Sequence, residues 1–266
     1  MVVCTLGDLL LDVVVKLAKP LAEGDDTRAE TRVGAGGQAA NVAAWAAALG
    51  AEARFVGKRG ADASGELVED DLLRRAVDVL GPPPTGRNGV VVSLVELDGS
   101  RTMVSDRGVA PELEADEVVP EWFQRADWLH LSGYSLMREP IGSAAERAAE
   151  LARAAGAKIS VDLSSVNVIR EFGAGRLAER LVRIEPEAVF GNEAEHAEVP
   201  VSSEMVIVKR GAGGATIAGA DYRPPPGDVV DTTGAGDALA AGYLVGGPEL
   251  AMEAAARCVG QIGTMP

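Results

Sequence analysis

The stretch Asp231–Val245, "DTTGAGDALAAGYLV", decides the reading of this chain. Two carboxylates bracket a Gly-Ala-Gly step, and an apolar run of helical character follows directly. Gly234 and Gly236 allow a tight turn and leave N–H groups uncovered at a helix N-terminus, a ready hole for an anion. Asp237 at such a place could serve as a mere dipole partner, worth roughly 0.3–1 kcal/mol. A cap, however, needs one acid and no glycines. An anion hole beside a carboxylate suits transfer of a phosphoryl group to a hydroxyl, with the carboxylate accepting the proton.

Upstream of this stretch, short apolar runs alternate with amphipathic ones. "VVCTLG", "ARFVG", "WLHLSG", "KISVDL", "AVFGN" and "MVIVKRG" read as buried strands. "QAANVAAWAAALG", "SAAERAAELARAAG", "GRLAERLVRI", "GDALAAGYLV" and "ELAMEAAARCV" read as helices. "SGELVEDDLLRRAVDVL" reads as one further helix, opened by Ser64. Alternation of this kind predicts an α/β protein: a mostly parallel sheet with helices on both faces, three layers in all. Residues 13–33 and 87–108 break the alternation. They predict exposed β pieces, the second a hairpin around Asp98-Gly99, forming a small β lid on a single domain spanning 1–266. Ligands of such sheets lie outside the carboxyl ends of the strands, here Gly7–Asp12, Gly57–Arg59, Ser132–Gly133, Asp162, Asn192 and Lys209–Gly211.

Composition narrows the function. The chain has 25 Lys and Arg against 40 Asp and Glu, a formal charge of −15, which argues against nucleic acid and against an anionic membrane surface. No run is long enough to span a membrane and no secretory leader is evident, so a cytoplasmic protein is expected. Cys4 and Cys258 sit in apolar settings and read as buried free thiols. His130 lies within a strand and reads as a packed residue, His196 as part of a surface loop. No Walker loop, serine elbow or Cys/His metal cluster is present.

A second glycine-rich helix entry is "GAGGQAAN", Gly34–Asn41. It contains the G-x-G-x-x-A dinucleotide pattern, but polar "DTRAETR" precedes it and no acid closes the next strand, so the NAD reading lacks both of its confirmations. Close backbone approach to a polar ligand, with Asn41 as donor and acceptor, is the alternative. In "GDLLLD", Asp8 or Asp12 could hold a polyol by accepting from adjacent hydroxyls. "NEAE", Asn192–Glu195, suits a hydrated Mg²⁺ near phosphates. "KRGAGG", Lys209–Gly214, reads equally as a nucleotide-admitting turn or a simple hairpin.

Taken in order, "GDLLLD", "GGQAAN", Arg107–Gly108, "NEAE", "KRGAGG" and "DTTGAGD" resemble the ribokinase-like PfkB family of small-molecule kinases, over nearly the whole chain. The resemblance implies transfer of the ATP γ-phosphoryl to a hydroxyl of a small sugar or related polyol. It implies Asp237 as catalytic base, with Gly234, Ala235 and Gly236 as the anion hole. It places the sugar at Asp12, Gly36, Gly37 and Asn41, and the nucleotide at Lys209, Gly211, Gly213 and Gly263. Asn192 and Glu195 would organise Mg²⁺ through water, and Asp231 and Thr233 a monovalent cation such as K⁺. Asp237 needs no elevated pKa, because in a loose transition state the hydroxyl proton leaves late.

Arg107 on the lid's return path reads equally as a partner for an anionic substrate group such as a carboxylate, which would favour a sugar acid, or as a surface arginine. Exposed lid strands predict a homodimer through the lid. Three departures from the family stand out. The stretch 196–204 is short for a parallel crossover and predicts a simplified topology there. The usual closing helix does not follow "QIGTMP", a region that commonly lines the adenine and cation sites. Ala110 stands where Asn is frequent. A nucleoside kinase of the same family, and a non-catalytic sugar or nucleotide sensor, are the competing readings.

Overall fold

The computed structural model describes residues 1–97, 101–201 and 203–266. In the first half, strand β1 (Val2–Leu6) leads into β2 (Leu10–Leu17) and β3 (Ala29–Gly36), then helix α1 (Gln38–Ala48), β4 (Glu52–Val56), α2 (Ala63–Arg74) and β5 (Val77–Leu80). The strands β6 (Asn88–Val95) and β7 (Arg101–Gly108) follow. The second half runs β8 (Trp128–Ser132), α3 (Gly133–Leu136), α4 (Ile141–Ala154), β9 (Lys158–Asp162), α5 (Val166–Phe172) and α6 (Ala174–Ile184). It continues with β10 (Ala188–Asn192), α7 (Glu193–Glu198), β11 (Met205–Lys209), β12 (Ala215–Ile217), β13 (Ala220–Tyr222), α8 (Ala235–Gly246) and α9 (Pro248–Val259).

Among the described residues, nine strands form one sheet in the order β13-β12-β11-β10-β9-β8-β1-β4-β5. From β5 to β11 every pairing is parallel; the β11–β12 and β12–β13 pairings at the edge are antiparallel. Buried on both faces, the central strands are largely apolar, as a parallel sheet requires, with Thr5, His130 and Ser160 among their buried polar exceptions. Successive side chains alternate between two cores. Val3 joins the core under α1, α8 and α9, with Trp45, Phe55 and Phe190. Val2, Cys4 and Leu6 join the core under α4 and α6, with Phe123, Leu129 and Ile141. The three-layer α/β expectation is met.

The irregular β pieces form a second sheet, β3-β2-β6-β7, in which β2 and β6 run parallel and the other pairs antiparallel. The Asp98-Gly99 turn expected between β6 and β7 lies outside the described residues. Three other expectations need correction. The helix opened by Ser64 is capped instead by Asp62, whose Oδ1 accepts from Gly65 N at 2.9 Å and from Ser64 Oγ at 2.8 Å. That helix stops at Arg74; Ala76 turns left-handed at φ 59°, and the β-branched "VDVL" becomes β5 at the sheet edge. The short 196–204 connection does not simplify the topology. One short helix, α7, carries the chain over, and β10 and β11 pair parallel in full register.

His196 lies in α7 rather than a surface loop, its Nε2 3.1 Å from the Ile207 carbonyl of β11. His130 is buried as expected, its Nδ1 3.0 Å from Ser160 Oγ. Both cysteines are free and buried. Among the described residues, no helix is long and apolar enough to cross a membrane.

Candidate active site

Two helices begin at the carboxyl ends of the central strands, and each begins at a glycine. The turn before α8 has Gly234 at its N-cap with φ 78°, a conformation that favours glycine. Gly234 has no side chain to cap the first-turn amides of α8, which have no acceptor within the helix. A Cβ at Gly234 would meet the Thr264 carbonyl at 2.8 Å, so the loop at 260–266 supports this turn from behind. Asp237 lies in the first turn of α8, and its Oδ2 accepts from Asn41 Nδ2 of α1 at 2.7 Å.

The Gln38 side chain of α1 also faces Asp237 and favours its ionised form. Gln38 is itself fixed, its Oε1 accepting from Ser132 Oγ at the end of β8 and from Ser164 Oγ after β9, both at 2.6 Å. Across the turn, Lys209 Nζ at the end of β11 donates to both carboxylate oxygens of Asp162 at the end of β9, at 2.7 and 2.9 Å. A Cβ at Gly236 would stand 3.4 Å from that Nζ, which places the lysine against the turn. Burial pushes Asp237 up to about 7 and the Asp162 charge adds to the rise, against the opposing pull of Asn41, Lys209 and Gln38. The Asp237 carboxyl group therefore stands near 7 rather than at an ordinary carboxylate value. A carboxylate so poised, beside uncapped amides, can accept a proton from a hydroxyl.

Asp12 in β2 belongs to a neighbouring group. Its Oδ1 is buried with no partner in the structure. Burial first, and then the charge of Asp231, push Asp12 up to about 6. Gly36 is required beside it, since a Cβ there would stand 2.7 Å from Asp12 Cβ. Asp12 lines a cleft of about 270 Å³ together with Arg32, Asp71, Arg75, Gly263 and Thr264. Gly263, expected near the nucleotide, thus borders the Asp12 cleft. Asp231 ties the α8 turn to that loop: its Oδ1 accepts from Thr233 N and Oγ1 at 2.9 and 2.6 Å, and its Oδ2 from Gly263 N at 3.1 Å.

The remaining expected positions have the following partners. Arg107, read as a partner for an anionic substrate group or as a surface arginine, donates to both oxygens of Asp8 at 2.5 and 2.7 Å. Its charge is thereby offset, and it links β7 to the end of β1. Asn192 and Glu195 form a reciprocal helix cap: Asn192 Oδ1 accepts from Glu195 N, while the Glu195 oxygens accept from Asn192 N and Nδ2, at 2.8–2.9 Å. Gly211 and Gly213 lie in the exposed turn of the β11–β12 hairpin. Ala110 is buried beside Leu10 and Val91. Gln38, Ser132 and Ser164 had no assigned role. Gln38 stands inside "GGQAAN", but its serine partners are signalled by nothing short of the fold.

The model of the "pfkB family carbohydrate kinase" matches residues 2–259. The chain belongs to that family. An ATP-dependent ribose-1-phosphate kinase of Halopiger xanaduensis is 31% identical over 96% of this chain and 90% of its own length. Among solved structures, an adenosine kinase from Sinorhizobium meliloti superposes with a TM-score of 0.84 at 24% identity, covering 99% of this chain and 95% of that one. A ribokinase II from E. coli in complex with ATP and Mg²⁺ has a TM-score of 0.77 at 22% identity, covering 99% and 94%. The two solved structures, each covering 99% of this chain, show its fold.

Proposed function

We propose that this pfkB family carbohydrate kinase moves the γ-phosphoryl of ATP to a hydroxyl of a small sugar, with Asp237 as general base. The observation that carries the reading is the placement of Asp237: first turn of α8, beside the Gly234–Gly236 turn, held by Asn41 at 2.7 Å. The substrate hydroxyl gives its proton to Asp237 while its oxygen takes the phosphoryl group, and the first-turn amides meet the phosphoryl oxygens. Asp12, with an unspent buried oxygen, supports sugar binding together with Gly36, Gly37 and Asn41. The sheet of β2, β3, β6 and β7 acts as the lid that excludes water, and Val33, Met103 and Val104, exposed on it, support pairing of two copies.

Among the described residues no cluster of three or more His, Cys, Asp or Glu could hold a metal. That fits Mg²⁺, which keeps its waters and leans on nucleotide phosphates; Asn192 and Glu195 would orient it through water, and it would neutralise phosphate charge. Asp231 and Thr233 would serve a monovalent cation, and Lys209, Gly211 and Gly213 border the nucleotide. With Arg107 spent on Asp8, a sugar acid loses that candidate partner. Arg32 and Arg75 in the Asp12 cleft, and the ribose-1-phosphate kinase relative, put phosphorylated sugars on the panel instead. Tyr134, partly exposed after β8 with its carbonyl accepting from Arg107, keeps nucleosides on it as well.

ADP release and product NMR across sugars, sugar phosphates and nucleosides with ATP and Mg²⁺ test the proposal. Saturable phosphorylation of one class is expected. Binding of ATP and sugar without any phosphorylated product would instead favour a sensor.

A further inference from the structure

A lysine under the N-terminus of a helix is the reverse of the usual arrangement, because the dipole there favours anions. Lys209 occupies that position beneath α8. Its side chain is 18% exposed, and Asp162, which holds it, 1%. Withdrawing such a pair from water costs more than the ion pair commonly returns, so stability alone does not account for it. The pair also spans a strand: β10 lies between β9 and β11, and the lysine stem reaches across it to Asp162. What the reach achieves is a fixed cation against Gly236, one residue from Asp237.

We infer that the Lys209–Asp162 pair is a positioning device for phosphoryl transfer: Lys209 braces the Gly236 turn and keeps Asp237 ionised, and Asp162 fixes Lys209 in place. The inference rests on the kinase reading and narrows the role of Lys209 from a border of the nucleotide to a brace of the base. Burial works against the charge on Lys209, but Asp162 outweighs it and leaves the lysine above its ordinary range, so it stays charged. The groups facing Asp237 are few. Asn41 and Gln38 on α1 are neutral donors, and Asp162 and Lys209 bring opposite charges from β9 and β11. Tyr134 on α3 and Cys258 on α9 are both pushed up by burial and uncharged at neutral pH. His130 on β8 faces Asp162 and Lys209 and, pushed down by burial to about 4, is neutral too. Glu195 on α7 acts on Lys209 from farther out. Of these groups, Lys209 is the cation and Asp162 the anion that act on Asp237.

The test is a ¹³C NMR titration of the unliganded protein labelled at aspartate, with the Asp237 signal identified by its loss in Asp237→Asn. Lys209→Met should raise the Asp237 midpoint by about one pH unit or more, and Asp162→Asn should lower it. The double variant, which replaces the ion pair by a neutral one and so avoids an orphaned buried charge, should return the midpoint close to wild type. In turnover, Lys209→Met should lower kcat on the order of 10²-fold with the sugar KM within about threefold, and Lys209→Arg should recover part of the loss. An Asp237 midpoint that ignores both single substitutions, or a Lys209→Met enzyme with wild-type kcat, overturns the inference. If the wild-type chain phosphorylates nothing, the kinase reading fails separately, and the titration still decides whether the pair controls Asp237.

Discussion

The chain builds two glycine-headed helix starts side by side; the heads, Gly37 and Gly234, both answer to packing, whereas Gly236 inside α8 is glycine for another reason. At α1, Gly37 has φ 102°, and a Cβ there would fall 2.3 Å from the Asp8 carbonyl oxygen. Backbone presses on backbone, and nothing in contact can yield. At α8, a Cβ on Gly236 would meet only the end of the Lys209 side chain, at 3.4 Å. The first glycine is demanded by packing. The second keeps a space open in front of a cation. The helices then meet through Asn41 and Asp237, so a packing requirement at one end positions a chemical group at the other.

That contrast can be broken in three ways. Gly37→Ala combines a disfavoured φ with an overlap that only backbone movement relieves, at a cost of several kcal/mol, on the order of half the stability of a typical domain. It should abolish soluble folded protein or drop Tm by more than about 10 °C; a Tm near wild type would remove the packing explanation. Gly236→Ala should fold, with Tm within about 3 °C, yet lose about 10- to 100-fold in kcat, because the new methyl group stands in the space before Lys209. Normal kcat would show that this space is unused. Asn41→Ala should act least, lowering kcat about tenfold at pH 7. Here the sign follows from the hydrogen bond. Asn41 favours the ionised carboxylate, so its loss raises Asp237 further above about 7, and the acid limb of the kcat profile should move to higher pH. A limb that stays put would mean that Asn41 does not hold the base.

The sheet was legible because a parallel strand buried on both faces is nearly all apolar, as "VVCTL", with Thr5 its one polar residue, and "AVF" are, and because Gly and Asp punctuate its ends. The α8 turn was legible because no simple cap needs two glycines. The end of α2 was not: "RRAVDVL" continues a helical pattern, and only the left-handed turn at Ala76 and the free edge beside β4 turn it into β5. Arg107 could be placed at the site but not paired, since Asp8 lies 99 positions away and meets it only through the second sheet. Lys209 was drawn toward the nucleotide by its motif. Its hold on Asp162 depends on strand order, with β10 interposed, and a single sequence does not carry strand order.

The central claim is that Asp237 takes the proton of the accepting hydroxyl. Its most direct test is kcat of Asp237→Asn beside binding of a non-hydrolysable ATP analogue to the same protein, on whichever substrate the wild-type chain phosphorylates. The account predicts a loss of about 10²–10⁴ in kcat with analogue affinity nearly unchanged. Turnover within a few-fold of wild type would contradict it and leave the α8 turn without its base.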